Sequence, residues 1–161
     1  MYIEFAITII LVILAFQDIF SRHINGWYLI PLFVLLIIDT YFSELNNSFL
    51  LNILSNIFFL CIQLFLVSLF FLIKEKRFNI INSKIGIGDI ILFLVISVRF
   101  SFKSYTIFYI FTLILSIFLS LVLDKLSSKH LKSVPLVSYI SINFIFWYWL
   151  SIFLRKNLIY L

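Results

Sequence analysis

Six apolar runs, separated by short gaps of charged and turn-forming residues, make up most of this chain. They are Tyr2–Gln17, Trp27–Thr40, Phe49–Ile73, Gly88–Phe100, Tyr105–Leu123 and Pro135–Leu154. None alternates polar and apolar residues with period two, so none reads as a strand. Six helices are therefore predicted, in an all-α bundle that forms one domain over residues 1–161, with no linker and no internal repeat. A helix needs about 20 residues to cross the hydrocarbon of a bilayer at about 1.5 Å per residue. By that measure the first, second and fourth runs are short, and the third is long enough to tilt.

Polar positions inside the runs are periodic. In the third run Asn52, Asn56 and Gln63 project within about 40° of one another on a helix, and so share a face. In the fifth, Thr112, Ser116 and Ser120 recur every fourth residue and Asp124 continues the line. Small hydroxyl residues at that spacing let helices approach closely and hydrogen-bond, so these stripes are expected to face protein. Trp147, Tyr148 and Trp149, and Trp27 with Tyr28, read as anchors at the membrane–water interface.

Composition narrows the class. Of 161 residues 64% are hydrophobic and 12% charged, and mean hydropathy is +1.20. A soluble domain carries about twice that charge fraction, so the chain reads as a polytopic membrane protein. The single cysteine, Cys61, supports neither a disulfide framework nor a cysteine zinc site, and is expected in the core or facing lipid. The segment Tyr2–Phe16 lacks a basic flank and a small-x-small cleavage pattern, and is expected to stay as a helix.

The net charge of +5 is spread through the gaps and forms no solvated basic face, which excludes nucleic-acid binding. It follows instead the rule that cytoplasmic gaps are rich in Lys and Arg. The gaps after runs one, three and five hold eight: Arg22; Lys74, Lys76, Arg77 and Lys84; Lys125, Lys129 and Lys132. The other side holds four: Arg99, Lys103, Arg155 and Lys156. Eight against four places the odd-numbered gaps in the cytoplasm and both termini outside. The chain is thus expected in the cytoplasmic membrane with lipid around it.

Among seven acidic residues, Glu4, Asp39 and Glu44 fall on the outer side, Glu75 lies among basic residues, and Asp124 adjoins Lys125. Asp18 and Asp89 alone close or open a short apolar run at the same membrane face. Each has a plain structural role available: Asp18 can pair with Arg22 four residues on, and Asp89 can start a helix after the glycine turn Gly86-Ile87-Gly88. Together they suggest chemistry. Two carboxylates in a low-dielectric site cannot both ionise easily, so they share a proton. The ionised one can activate water while the protonated one supports a carbonyl. His23 and His130 stand in separate gaps and make a poor metal site, so neither metal nor other cofactor is expected.

With these residues in view, the chain resembles the prepilin and preflagellin peptidases, the Gly-x-Gly-Asp class of membrane aspartyl proteases. Gly86-Ile87-Gly88-Asp89 matches the class motif. Asp18 followed by Ile24 fits the segment around the family's first aspartate, and Val134-Pro135-Leu136 resembles another recurring segment. The resemblance implies a short form without the cysteine-rich methyltransferase domain. It implies Asp18 and Asp89 as catalytic residues, with Gly86, Gly88 and Pro135 shaping the substrate site. The implied substrate is a pilin-like precursor, cut where a short basic leader meets a hydrophobic helix. The chain departs from the family where Asn25 and Gly26 replace Pro and Asn, and where Ile91 stands at a frequent Lys position. Presenilin-like proteases share the glycine motif but carry Tyr-Asp where this chain has Gln17-Asp18. A rival reading is a small proton- or cation-coupled transporter or channel subunit, which calls for carboxylates near mid-helix or interrupted helices in symmetric halves. A third is an assembly subunit with a dead site.

Overall fold

The computed structural model describes residues 2–21, 24–42, 49–75, 86–126 and 135–153. They form six α-helices: α1 (Tyr2–Ser21), α2 (Leu29–Phe42), α3 (Phe49–Glu75), α4 (Ile87–Ser97), α5 (Phe102–Leu126) and α6 (Leu136–Phe153). Among the described residues there is no strand. Four helices, Tyr2–Ser21, Phe49–Lys74, Phe102–Val122 and Leu136–Phe153, are long and apolar enough to cross a bilayer. α2 and α4 are apolar but shorter. The protein is thus an all-helical, multi-pass membrane protein. Arg22, His23, Glu44, Lys76, Arg77, Lys84, Lys129, Lys132, His130, Val134, Arg155 and Lys156, used in reading the sequence, lie outside the described residues, as do the side chains of Glu75, Asp124 and Lys125.

Local chemistry moves some helix ends away from the apolar runs. Trp27 and Tyr28 belong to a 3-10 turn, Gly26–Tyr28, whose start is capped by the Asn25 side chain accepting the Trp27 N–H at 3.3 Å. The fourth run ends as a helix at Ser97, and a turn through Arg99 and Phe100 follows it. α5 then begins three residues before the expected Tyr105, because Ser101 precedes it and its hydroxyl accepts the Ser104 N–H.

Packing arranges the helices as two rings with a shared edge. α1, α2, α4 and α6 close one ring, while α4, α3, α5 and α6 close the other. α6 belongs to both, which explains why Val137, Ile140, Asn143, Phe144 and Tyr148 are all buried. Its small polar residues Ser138, Ser141 and Ser151 are buried too, allowing close approach of neighbours. The expected polar stripes face protein in part: Asn56, Thr112 and Ser116 are buried, the Asn143 side-chain amide donates to the Thr112 hydroxyl, and Asn52, Gln63 and Ser120 are half-buried. Cys61 is exposed on the outside of α3. Tyr148 is not an interface anchor. It is 1% exposed and packs against Phe144, because α6 is surrounded at that level.

Each helix outside that centre keeps one face for lipid. On α1, Ile7, Leu11, Leu14 and Asp18 follow the buried stripe, and Phe5, Ile9, Val12, Phe16 and Phe20 are exposed on the other face. Asp18 faces inward because it continues that apolar stripe by one more turn.

Candidate active site

The site forms where the end of α1, the start of α4 and the start of α6 meet. Asp18, in the last turn of α1, is 8% exposed. Its Oδ2 accepts the Ser138 backbone N–H at 2.9 Å and lies 3.0 Å from the Ser138 hydroxyl. That hydroxyl is also 2.9 Å from the Ala15 carbonyl, so it donates to one of the two at a time. Ser138 therefore ties α6 to α1 through both its backbone and its side chain.

Asp89 enters from α4. Gly86 precedes that helix in extended conformation, and Asp89 Oδ2 accepts the Gly86 N–H at 3.2 Å. This is the side-chain half of a capping box; a glycine cannot supply the other half. Asp89 is thus not the first cap of the helix, as its sequence position suggested; Gly86 is, and Asp89 closes the first turn from the third helical position. The same carboxylate lies near the Val137 N–H and is close enough to Asp18 to feel its charge. Asp89 shares a face of α4 with the buried Leu92, Phe93 and Ile96, three, four and seven residues on, which turns it toward α6.

The geometry follows from these contacts. Val137 and Ser138 are adjacent residues in the first turn of α6; the Ser138 amide bonds Asp18, and the Val137 amide lies near Asp89. The first turn of a helix carries backbone N–H groups with no partner inside the helix, and a partial positive charge. Pro135 sits just ahead of it, its carbonyl accepting the Tyr139 N–H, where its missing N–H removes no helical bond. Both aspartates thus approach the same helix start. Among the described residues no lysine or arginine forms a salt bridge with either.

The glycines are explained by what stands against them. A Cβ at Gly88 would lie 2.5 Å from Ile24 Cδ1, so its absence lets the chain entering α2 pack on the start of α4. A Cβ at Gly86 would lie 2.9 Å from the Asp89 carboxylate itself. Both small residues keep this corner tight around Asp89. Among the described residues no three of His, Cys, Asp or Glu come together as a metal-binding group would require.

Sequence reading missed a second polar cluster at the opposite end of the same helices. Arg99 Nε lies 2.9 Å from Asp39 Oδ2, joining α2 to the turn after α4, and the guanidinium stands 6.0 Å from the Tyr148 ring centre. Asn56 of α3 donates to both the Ser97 and Phe100 carbonyls at 2.9 Å, satisfying the end of α4. The available signal was two opposite charges assigned to the same membrane side. Ser138 carried no signal beyond its place in the α6 stripe. Comparison of the chain with protein-family models, with curated proteins and with solved structures finds no match.

Proposed function

We propose that the protein is a membrane aspartic endopeptidase that removes the leader of a pilin-like precursor. Asp18 and Asp89 are its catalytic pair, in a six-span bundle with both termini outside and the site toward the cytoplasm. The observation that carries this reading is the approach of both carboxylates to the first turn of α6, where the Ser138 amide bonds Asp18 and Asp89 lies near Val137. A purely structural carboxylate is ordinarily matched with a cation, as Asp39 is matched with Arg99. A pair of carboxylates brought to one helix start is poised to keep one proton between them.

In the proposed reaction the ionised aspartate takes a proton from water as the water attacks the scissile carbonyl. The protonated aspartate donates a hydrogen bond to the carbonyl oxygen, then gives its proton to the leaving amine. One C–N bond is broken by one water, and the pair ends with its single proton. Ser138 and the Val137 amide hold the carboxylates in place during the exchange. Gly86 and Gly88 shape the side on which the peptide backbone lies, and Pro135 fixes the start of α6.

Co-expression of a precursor with the wild type, Asp18→Asn or Asp89→Asn, with leader removal followed on gels, tests the proposal. Both variants are expected to leave the leader on. Processing at the wild-type rate by either variant sinks it. Proton or cation uptake into vesicles without any precursor would favour the transporter reading instead.

A further inference from the structure

The inner end of the bundle is stepped, and the step decides where the carboxylates lie. Aromatic contacts give the vertical register: Phe93 of α4 and Phe59 of α3 both stand against Tyr109 of α5, with ring centres 4.9 and 5.4 Å apart. Phe108 of α5 stands against Phe144 of α6. From that level α4 runs only six residues to Ile87, and α6 eight to Leu136. α3 runs sixteen to Glu75 and α5 seventeen to Leu126. At about 1.5 Å per residue, α3 and α5 therefore extend about 12–16 Å beyond the first turns of α4 and α6.

This overhang is apolar on its outside. Leu66, Phe70 and Ile73 of α3 and Ile117, Phe118 and Leu121 of α5 are all exposed. Lys74 marks the upper limit on α3, its ammonium placed over the Phe70 ring. Exposed apolar side chains at that height are stable only in hydrocarbon. The carboxylate pair then lies below them, within the bilayer depth. Among the described residues nothing of the kind rises on its other flank: α1 ends at Ser21, and the chain enters α2 through the turn at Gly26–Tyr28. The low flank carries Phe20, 79% exposed, and Trp27, 78% exposed.

We propose that the site is reached sideways from the bilayer, over the low rim at Phe20 and Trp27. Its occupant is an apolar membrane helix whose end unwinds across the carboxylates and is stopped by the wall of α3 and α5. The choice of occupant rests on the peptidase reading, since that is the substrate with a hydrophobic helix next to the bond cut. The depth of the site does not rest on it.

Depth can be measured without any substrate. In a Cys61→Ser background, single cysteines replace Phe20, Trp27, Ile73 and Leu121, and spin labels on them are read in vesicles against oxygen and a water-soluble nickel chelate. Labels at positions 20 and 27 are expected to be deeper than those at 73 and 121 by roughly 5–10 Å. Equal depths, or nickel access at 20 matching that at 73, would mean that the bilayer thins beside the low flank and would overturn the proposal. The side of approach is read by a photocrosslinker in Asp89→Asn protein co-expressed with a precursor. Capture from position 27 and not from 117 is expected; capture only from 117 overturns it. If wild-type protein never processes the precursor, the peptidase reading and its occupant fail, while the label depths still decide where the site lies.

Discussion

The two ends of the α1–α2–α4–α6 ring handle buried charge in opposite ways. At one end Asp39 is given Arg99, an aromatic ring and a neighbouring asparagine that closes the end of α4. At the other end Asp18 and Asp89 approach the start of α6 among backbone amides and a serine hydroxyl. An opposite-charge pair in a low-dielectric setting stabilises the geometry around it, and losing one partner is severe. A like-charge pair stabilises nothing by itself, so the fold holds it together against its own repulsion. One end is built for holding; the other, on the reading proposed above, is built for a proton that moves.

Substitutions separate these two roles. The largest expected effect is on chemistry alone. Asp18→Asn or Asp89→Asn should lower leader removal by roughly 10²–10⁴-fold, while thermal unfolding in detergent stays level or rises as the repulsion is removed. A large loss of stability in these variants would erase the contrast between the ends.

Arg99→Ala should show the reverse pattern. Leaving Asp39 buried without its cation should destabilise the protein by about 3–5 kcal/mol. Protein that remains folded should process the precursor at near the wild-type rate. Next in size is Gly88→Val, whose side chain meets Ile24 and is expected to cost about 1–3 kcal/mol from overpacking. Gly88→Ala should be milder, because only the flexible tip of Ile24 must move, and adding Ile24→Ala should recover most of the loss. Failure of that rescue would show that the glycine is needed for something other than room for Ile24.

Smallest are the single hydrogen bonds. Asn56→Leu should destabilise by about 1 kcal/mol, the usual scale for one interhelical polar contact in a membrane protein. Ser138→Ala is expected to lose a comparable amount of stability and, unlike Asn56→Leu, to slow leader removal as well. Equal activity in the two variants would argue that Ser138 only packs.

The helices, their membrane setting and their protein-facing stripes follow from the sequence because they depend on period and length, which are local. The common side of Asp18 and Asp89 follows from counting turns of chain between charges. That Asp18 faces inward was not legible, because α1 is apolar on both its buried and its exposed face and only packing tells them apart. Helix ends were less legible: Ser101 caps α5 ahead of its apolar run, and a capping hydroxyl does not alter hydropathy.

Tertiary structure alone decided what lies between the carboxylates. The amide that holds Asp18 comes from a residue more than a hundred positions away, and no period links Ser138 to Asp18. It also decided the matching of Asp39 with Arg99, the seating of Ile24 on Gly88 and the unequal heights of the helices around the site. Hydropathy is a property of one segment and survives without partners, whereas relative height and charge pairing exist only once helices have been set side by side.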